Sequence, residues 1–319
     1  MKRYLPLLAN LTAELLFGFS YFFMHTGMEA IGKNAFHFLS FRYTLGFAVL
    51  AGMVLSGFRK INFKGRPLIL VALCGVLNPI VNQFASTMAT VNAPTSLIAL
   101  YNAAVPVLIL ILSILLNKEY PTRRQVCFVL LIVAGLVVAS RAKVSREELT
   151  LYGAIFIAIS VLVLAFHRIV MRRISVYFSP FEIVYFNTGF GALVFSIAGF
   201  GGHIWSGAAV SRYFTVLSDP RLAAAVLYMG ICSCVFAFLL MTYASANLPI
   251  AVFSSTSNFG TVVSISAGVL ILHENFRVLH IVALVIIMTG IIGMSLSYDK
   301  RADNTYRAAR GKKPKYRPR

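Results

Sequence analysis

The chain has 319 residues, of which 59% are hydrophobic and 12% charged, and its formal net charge is +19. A soluble protein of this size needs more polar covering than this sequence owns, so the composition argues against a water-exposed globule. Apolar runs of about 20 residues recur along it, the length a helix needs to cross roughly 30 Å of hydrocarbon, and continuous rather than alternating runs point to helices instead of a barrel.

The pattern predicts an all-α polytopic membrane protein with ten transmembrane helices, over residues 5–25, 37–56, 67–89, 94–116, 124–140, 151–172, 180–200, 222–244, 250–272 and 277–297. Span 1 follows Met1-Lys2-Arg3, lacks a small-residue cleavage site and contains Glu14, so it reads as a span rather than a leader. On it Asn10, Glu14, Gly18, Tyr21 and His25 recur at steps of four, four, three and four, which places them on one stripe. Glu14 lies about 14 Å into the span at about 1.5 Å per residue, near the midplane, where an ionised side chain costs several kcal/mol. The stripe therefore reads as cavity lining. Glu14 is the candidate for proton coupling or for pairing with a cationic part of a substrate, against the plainer role of a hydrogen-bonded tie to a neighbouring helix.

Arg42 enters span 2 about five residues from its end and is expected to snorkel to the interface. Span 3 carries Asn78 and Asn82 on one face, with Pro79 and Gln83 beside them, and span 4 carries Tyr101 and Asn102 at similar depth. The interior prolines Pro79 and Pro106 predict kinks, whereas Pro94 and Pro249 suit helix starts. His167 and Arg168 near the inner end of span 6 are gate candidates, with interfacial anchoring as the alternative. On span 9, Ser254, Asn258 and Thr261 are spaced four and three apart and join the cavity set, although hydroxyls also serve helix packing and local backbone bonds. Tyr120, Tyr177, Trp205 and Tyr213 suit an interfacial aromatic belt.

The positive charge sits in loops and in the tail. With the amino end inside, 20 Lys and Arg fall on cytoplasmic segments and seven outside, which puts both termini in the cytoplasm and requires an even number of spans. The tail over 298–319 holds nine of them against two Asp and reads as a disordered segment facing anionic lipid headgroups, not as a nucleic-acid-binding element. The four cysteines, Cys74, Cys127, Cys232 and Cys234, lie inside spans as small apolar residues, so neither a metal site nor a cofactor is expected. The pair His273-Glu274 has its next histidine at His280, the wrong spacing for a zinc-protease helix, and no nucleotide-binding loop occurs. No catalytic residue is assigned.

Sliding the sequence on itself by 155 residues aligns 87–140 with 242–295 without a gap. The matches include Thr87 with Thr242, Asn92 with Asn247, Pro94 with Pro249, Glu119 with Glu274, Gly135 with Gly290 and Ser140 with Ser295. Chance matching in an apolar chain favours Leu, Ile, Val and Ala, so this set points to duplication. Five spans per half makes the second copy enter the membrane inverted, an arrangement common in secondary transporters.

The stretch from Asn92-Ala93-Pro94 through Leu100, Pro106, Glu119 and Gly135, echoed by Asn247-Leu248-Pro249, Glu274 and Gly290, resembles the EamA domain of the drug/metabolite transporter superfamily. The resemblance covers nearly the whole chain and implies two inverted five-helix repeats, 1–141 and 150–297, around a central cavity lined by spans 1, 3, 4, 6, 8 and 9. It also implies transport of a small metabolite, amino acid or drug-like solute across the plasma membrane by alternating access. The glutamates closing spans 4 and 9 read as end-caps or contacts between halves. An intramembrane enzyme acting on a lipid-linked substrate is the alternative function, and a channel or sensor a third. Monomer and homodimer are both left open.

Overall fold

The computed structural model describes residues 4–61, 67–117, 122–141, 149–174, 177–207, 209–248, 256, 259–274 and 277–296, and every regular element among them is helical. Helix α1 (Leu5–Ala30) is reversed into α2 (Ala35–Leu55) by two residues in the left-handed region, Gly32 and Lys33, and the Asn34 side chain accepts from His37 N at 3.1 Å to start α2. A third span is built from α3 (Leu68–Gly75), a wide π-helical segment (Val76–Val81) and α4 (Asn82–Asn92). Next come α5 (Thr95–Asn102), α6 (Val105–Asn117) and α7 (Arg123–Arg141). The break between α5 and α6 is where Pro106 belongs: it has no N–H for the Asn102 carbonyl, so the helix restarts with proline in its first turn.

The second half follows with α8 (Leu151–Ile174), α9 (Pro180–Trp205), the short α10 (Val210–Thr215) and α11 (Pro220–Leu227). A second π-helical segment (Tyr228–Ala237), α12 (Phe238–Asn247), α13 (Phe259–Leu270) and α14 (Val278–Leu296) complete it. A reciprocal capping box opens α9, in which Glu182 N donates to Ser179 Oγ and Ser179 N to Glu182 Oε2. Asp219 caps α11 through Arg221 N.

Among the described residues, six stretches are long and apolar enough to cross a membrane: Leu5–Ala30, Ala35–Leu55, Leu68–Asn92, Leu151–Met171, Pro180–Trp205 and Pro220–Ala244. Shorter apolar helices stand at Thr95–Ile109, Phe259–Leu270 and Val278–Gly293, where spans 4, 9 and 10 are expected, and α7 stands where span 5 is expected. The distribution of side chains is that of a membrane protein. Leu55, Ile69, Leu151, Trp205, Val278 and Leu296 point outward while Asn10, Glu14, Arg42, Asn78, Asn82 and His167 are buried, the reverse of what water selects.

Close helix crossings fix the interior. Helix α2 lies along α9, α4 along α8, and α1 along α13. Helices α7 and α14 cross where small residues permit it: a methyl group at Gly135 would come within 2.6 Å of Ile287 Cγ1 and 3.1 Å of the Ala283 carbonyl, and one at Gly290 within 2.7 Å of Ile132 Cγ1 and 3.0 Å of the Phe128 carbonyl. As the numbering rises along one helix it falls along its partner, so the two run antiparallel. The contacts also exchange under the 155-residue offset, since 128, 132 and 135 carry to 283, 287 and 290. Tyr213, expected in the aromatic belt, is instead buried. Its ring stacks on His37 at 3.8 Å and its hydroxyl donates to Ser40 Oγ, whereas Trp205 is 93% exposed.

Candidate functional site

Two breaks in otherwise regular spans position the polar groups. In the first, Asn78 is extended (φ −148°, ψ 110°) just ahead of Pro79, as sterics before proline demand. The second is the π-helical segment of Tyr228–Ala237, where Gly46 and Gly230 let α2 approach closely: a methyl at Gly230 would lie 3.0 Å from the Arg42 carbonyl, and one at Gly46 would lie 2.9 Å from the Gly230 carbonyl. Under the 155-residue offset 76–81 falls on 231–236 and Asn78 on Ser233. Asn78 Oδ1, Ser233 Oγ and Asn187 Oδ1 are buried without a hydrogen-bond partner among the described residues. Between the breaks lies a cavity of about 10 Å³, room for about one water, lined by Asn78, Pro79, Asn187, Thr188, Cys234 and Phe238 among others.

Beside this cavity is a buried polar chain. Arg42 is only 2% exposed. Its Nη1 donates to Gln83 Oε1 at 2.8 Å and its Nε to Cys234 Sγ at 3.2 Å, while its guanidinium carbon lies 5.2 Å from the centre of the Tyr43 ring. Gln83 in turn donates to Asn82 Oδ1, and Asn82 to the Ser160 carbonyl at 2.8 Å. Asn102 donates to Tyr21 Oη at 2.6 Å. Tyr21 also lies beside Ser86 and within electrostatic reach of both Arg42 and Arg168. The group thus draws on α1, α2, α4, α5, α8 and the second π-helical segment.

The snorkelling expected of Arg42 is not what the structure shows. Helix α2 begins at Ala35, so Arg42 lies about 10 Å along it at about 1.5 Å per residue, and its side chain turns inward to acceptors on α4 and the second π-helical segment. His167 is 3% exposed and neither ring nitrogen has a partner among the described residues, whereas Arg168 beside it is exposed.

The predicted stripe on α1 divides. Glu14 and Gly18 pack on α13, and Asn10 reaches a residue ahead of it: Asn10 Nδ2 donates to Thr256 Oγ1 at 2.7 Å, and a methyl at Gly260 would come within 2.6 Å of Glu14 Oε2. A methyl at Gly18 would strike Val263. Tyr21, two turns from Glu14, reaches the polar chain with Asn82 and Asn102. Asn78 lies at the neighbouring break, Tyr101 packs half-buried in an apolar cluster with Ile98 and Val161, and Thr261 is half-buried on α13. His25 pairs with Glu29 at 3.8 Å, apart from the group. Ser254, Asn258, Glu119 and Tyr120 lie outside the described residues.

Sequence reasoning missed Arg42, Ser86, Asn187, Ser233 and Cys234 as members of this region. The only sequence signal for Arg42 is a cation two turns inside a span that carries no acidic residue. Its partners, 41 and 192 positions away, carry none.

The model of the EamA-like transporter family matches residues 5–141 and again 151–296. An uncharacterised transporter of Bacillus subtilis (strain 168), YcxC, is 25% identical over 295 residues, which is 92% of this chain and 94% of that one. A solved crystal structure with 19% identity, covering 95% of this chain and 97% of its own, superposes with a TM-score of 0.59, a likeness of fold alone.

Proposed function

The chain belongs to the EamA-like transporter family, and on that premise we propose that it carries a small solute across a bacterial plasma membrane by alternating access between two inverted five-helix halves, 1–141 and 150–297. The observation that carries this reading is the pair of broken spans at Val76–Val81 and Tyr228–Ala237, which fall on each other under the internal offset and enclose unpartnered polar atoms. Irregular backbone at membrane depth is tolerated only where it is enclosed or lines a cavity, and matched interruptions in two halves are where such carriers hold their solute. The antiparallel, self-reciprocal crossing of α7 and α14 supports inversion of the halves.

In this reading ten spans place both termini in the cytoplasm, with the basic tail against anionic headgroups. The solute sits among Tyr21, Asn78, Asn82, Asn102 and Arg42, and rocking of the halves about the two breaks opens it to either side. His167 and Arg168 gate the inner end, and Glu14, held between α1 and α13, is the ionisable group that couples a proton. The described lining offers hydrogen bonds and a cation, the groups that hold a polar solute.

Counterflow into proteoliposomes tests the proposal, using a panel of labelled amino acids, small carboxylates and sugars. Saturable, protein-dependent exchange of at least one solute is expected, and flux that rises linearly with concentration would refute a carrier. Cys127, exposed at the start of α7, tests the topology: an impermeant maleimide should label it from the cytoplasmic side.

A further inference from the structure

A guanidinium carries five N–H groups in a planar fork and stays charged. Arg42 uses two of them, on an amide oxygen and on a thiol sulfur, and the thiol is a weak acceptor. Its Nη2 has no acceptor among the described residues, and no described carboxylate lies within 4 Å of it or of Arg168. Among the described residues, the groups that interact with the guanidinium are neutral, Tyr21 from α1, Tyr43 from α2, Gln83 from α4 and Cys234 from the second π-helical segment, and across Tyr21 stands a second cation, Arg168 from α8. Glu14 faces the other way, onto Gly260. A buried cation without a counter-ion is among the most costly features a membrane interior can hold, and intramembrane arginines otherwise pair with an acid or with several carbonyls.

We infer that the missing counter-ion is the solute: the site of the proposed carrier takes a small organic carboxylate, its two oxygens on the free edge of the Arg42 guanidinium. This rests on the carrier reading above and names its substrate class. One fully buried cation balances one negative charge, and the planar guanidinium fork matches the two oxygens of a carboxylate. The cavity beside Arg42 supplies the rest. It shares Cys234 and Tyr43 with the arginine, offers the unpartnered Asn78 Oδ1 and Asn187 Oδ1 to a polar substituent, and turns Phe238, Met171 and Pro79 toward an apolar body. With room for about one water in this conformation, it admits the solute only when the two broken spans part.

Thermal unfolding of the full chain in detergent tests the assignment, with sodium benzoate, its neutral isostere benzamide, and sodium chloride at matched ionic strength as probes. Benzoate at a hundredfold excess over its dissociation constant should raise Tm by about 5 °C, with benzamide and chloride inert. Arg42→Gln should abolish the response while unfolding no lower than the wild type, because the unbalanced charge has gone, and Arg42→Lys should keep a weaker response. A purely structural arginine would instead lower the Tm of R42Q and leave benzoate and benzamide indistinguishable. Equal shifts by both probes, no shift by benzoate, or a benzoate response surviving in R42Q each overturn the inference. Should R42Q fail to fold, the benzoate and benzamide comparison on the wild type decides alone. Saturable counterflow of other solutes without a benzoate response overturns the anion site and leaves the carrier standing. A benzoate response without flux of any solute does the reverse.

Discussion

The carboxylate of Glu274 closes the start of α5 at Thr95, 179 positions away in sequence: Oε1 accepts from Thr95 N at 2.6 Å and from Thr95 Oγ1 at 2.8 Å, while Oε2 accepts from Ser96 N at 2.8 Å. Two orphan amides of a helix start are satisfied by one anion set at the positive end of the helix dipole, directly after Pro94, which has no N–H to offer. A methyl at Gly268 would come within 2.6 Å of Glu274 Oε2 and 2.7 Å of Thr95 Oγ1, so that glycine leaves the space the carboxylate occupies.

Glu274→Ala should therefore destabilise the protein by about 1–3 kcal/mol, the usual range for losing hydrogen bonds to a charged group. Glu274→Gln, which keeps one acceptor oxygen, should fall between it and the wild type. Gly268→Ala should mimic the loss by displacing the carboxylate. Tm in detergent is the measurement, and an alanine variant that unfolds with the wild type would show that α5 does not need the cap.

The crossing of α7 and α14 makes a second prediction. Gly135 and Gly290 each face backbone and isoleucine of the other helix, so Gly135→Ala and Gly290→Ala should each cost about 1–3 kcal/mol as the overpacked helices separate. Both sites press on one interface, so the double variant should lose less than the sum of the singles once the helices have already parted. Strict additivity in thermal unfolding would mean the two glycines act on separate contacts.

Much of this architecture is legible in the sequence because lipid imposes a coarse rule: long apolar runs must be helices. The 155-residue self-alignment rests on Asn, Pro, Glu and Gly, and its glycines prove to be the ones that cross. The site is less legible, because helical spacing tells which residues share a face but not what that face meets. Within the stripe, Glu14 and Gly18 meet α13, Asn10 meets Thr256 ahead of it, and Tyr21 continues to the polar chain. Arg42 departs from its expected place for a similar reason. Depth along a helix suggests snorkelling, but acceptors on Gln83 and Cys234 turn the side chain inward, and no local pattern announces contacts so distant in sequence.

The break at Asn78 yields a prediction that separates stability from motion. Pro79 withholds an N–H from the Gly75 carbonyl and drives Asn78 out of helical geometry. Pro79→Ala restores that bond and heals the span, so Tm should hold or rise by a degree or more while counterflow falls about tenfold or further. A variant as active as the wild type would show that the break does not serve as a hinge.

Glu14 offers the test of coupling. Glu14→Gln keeps the shape and one acceptor oxygen of the side chain against Gly260 and α13 while removing its ionisation. Expression and Tm should stay near wild type, and counterflow should lose its dependence on pH, since a glutamine cannot take up and release a proton. Gly260→Ala separates the two roles of the contact, because its methyl would press on Glu14 Oε2 from 2.6 Å without altering the charge. That variant should lower Tm and overall flux yet keep the wild-type pH profile. If Glu14→Gln and the wild type trace the same pH profile, the carboxyl does not move a proton, and Glu14 remains a tie between α1 and α13.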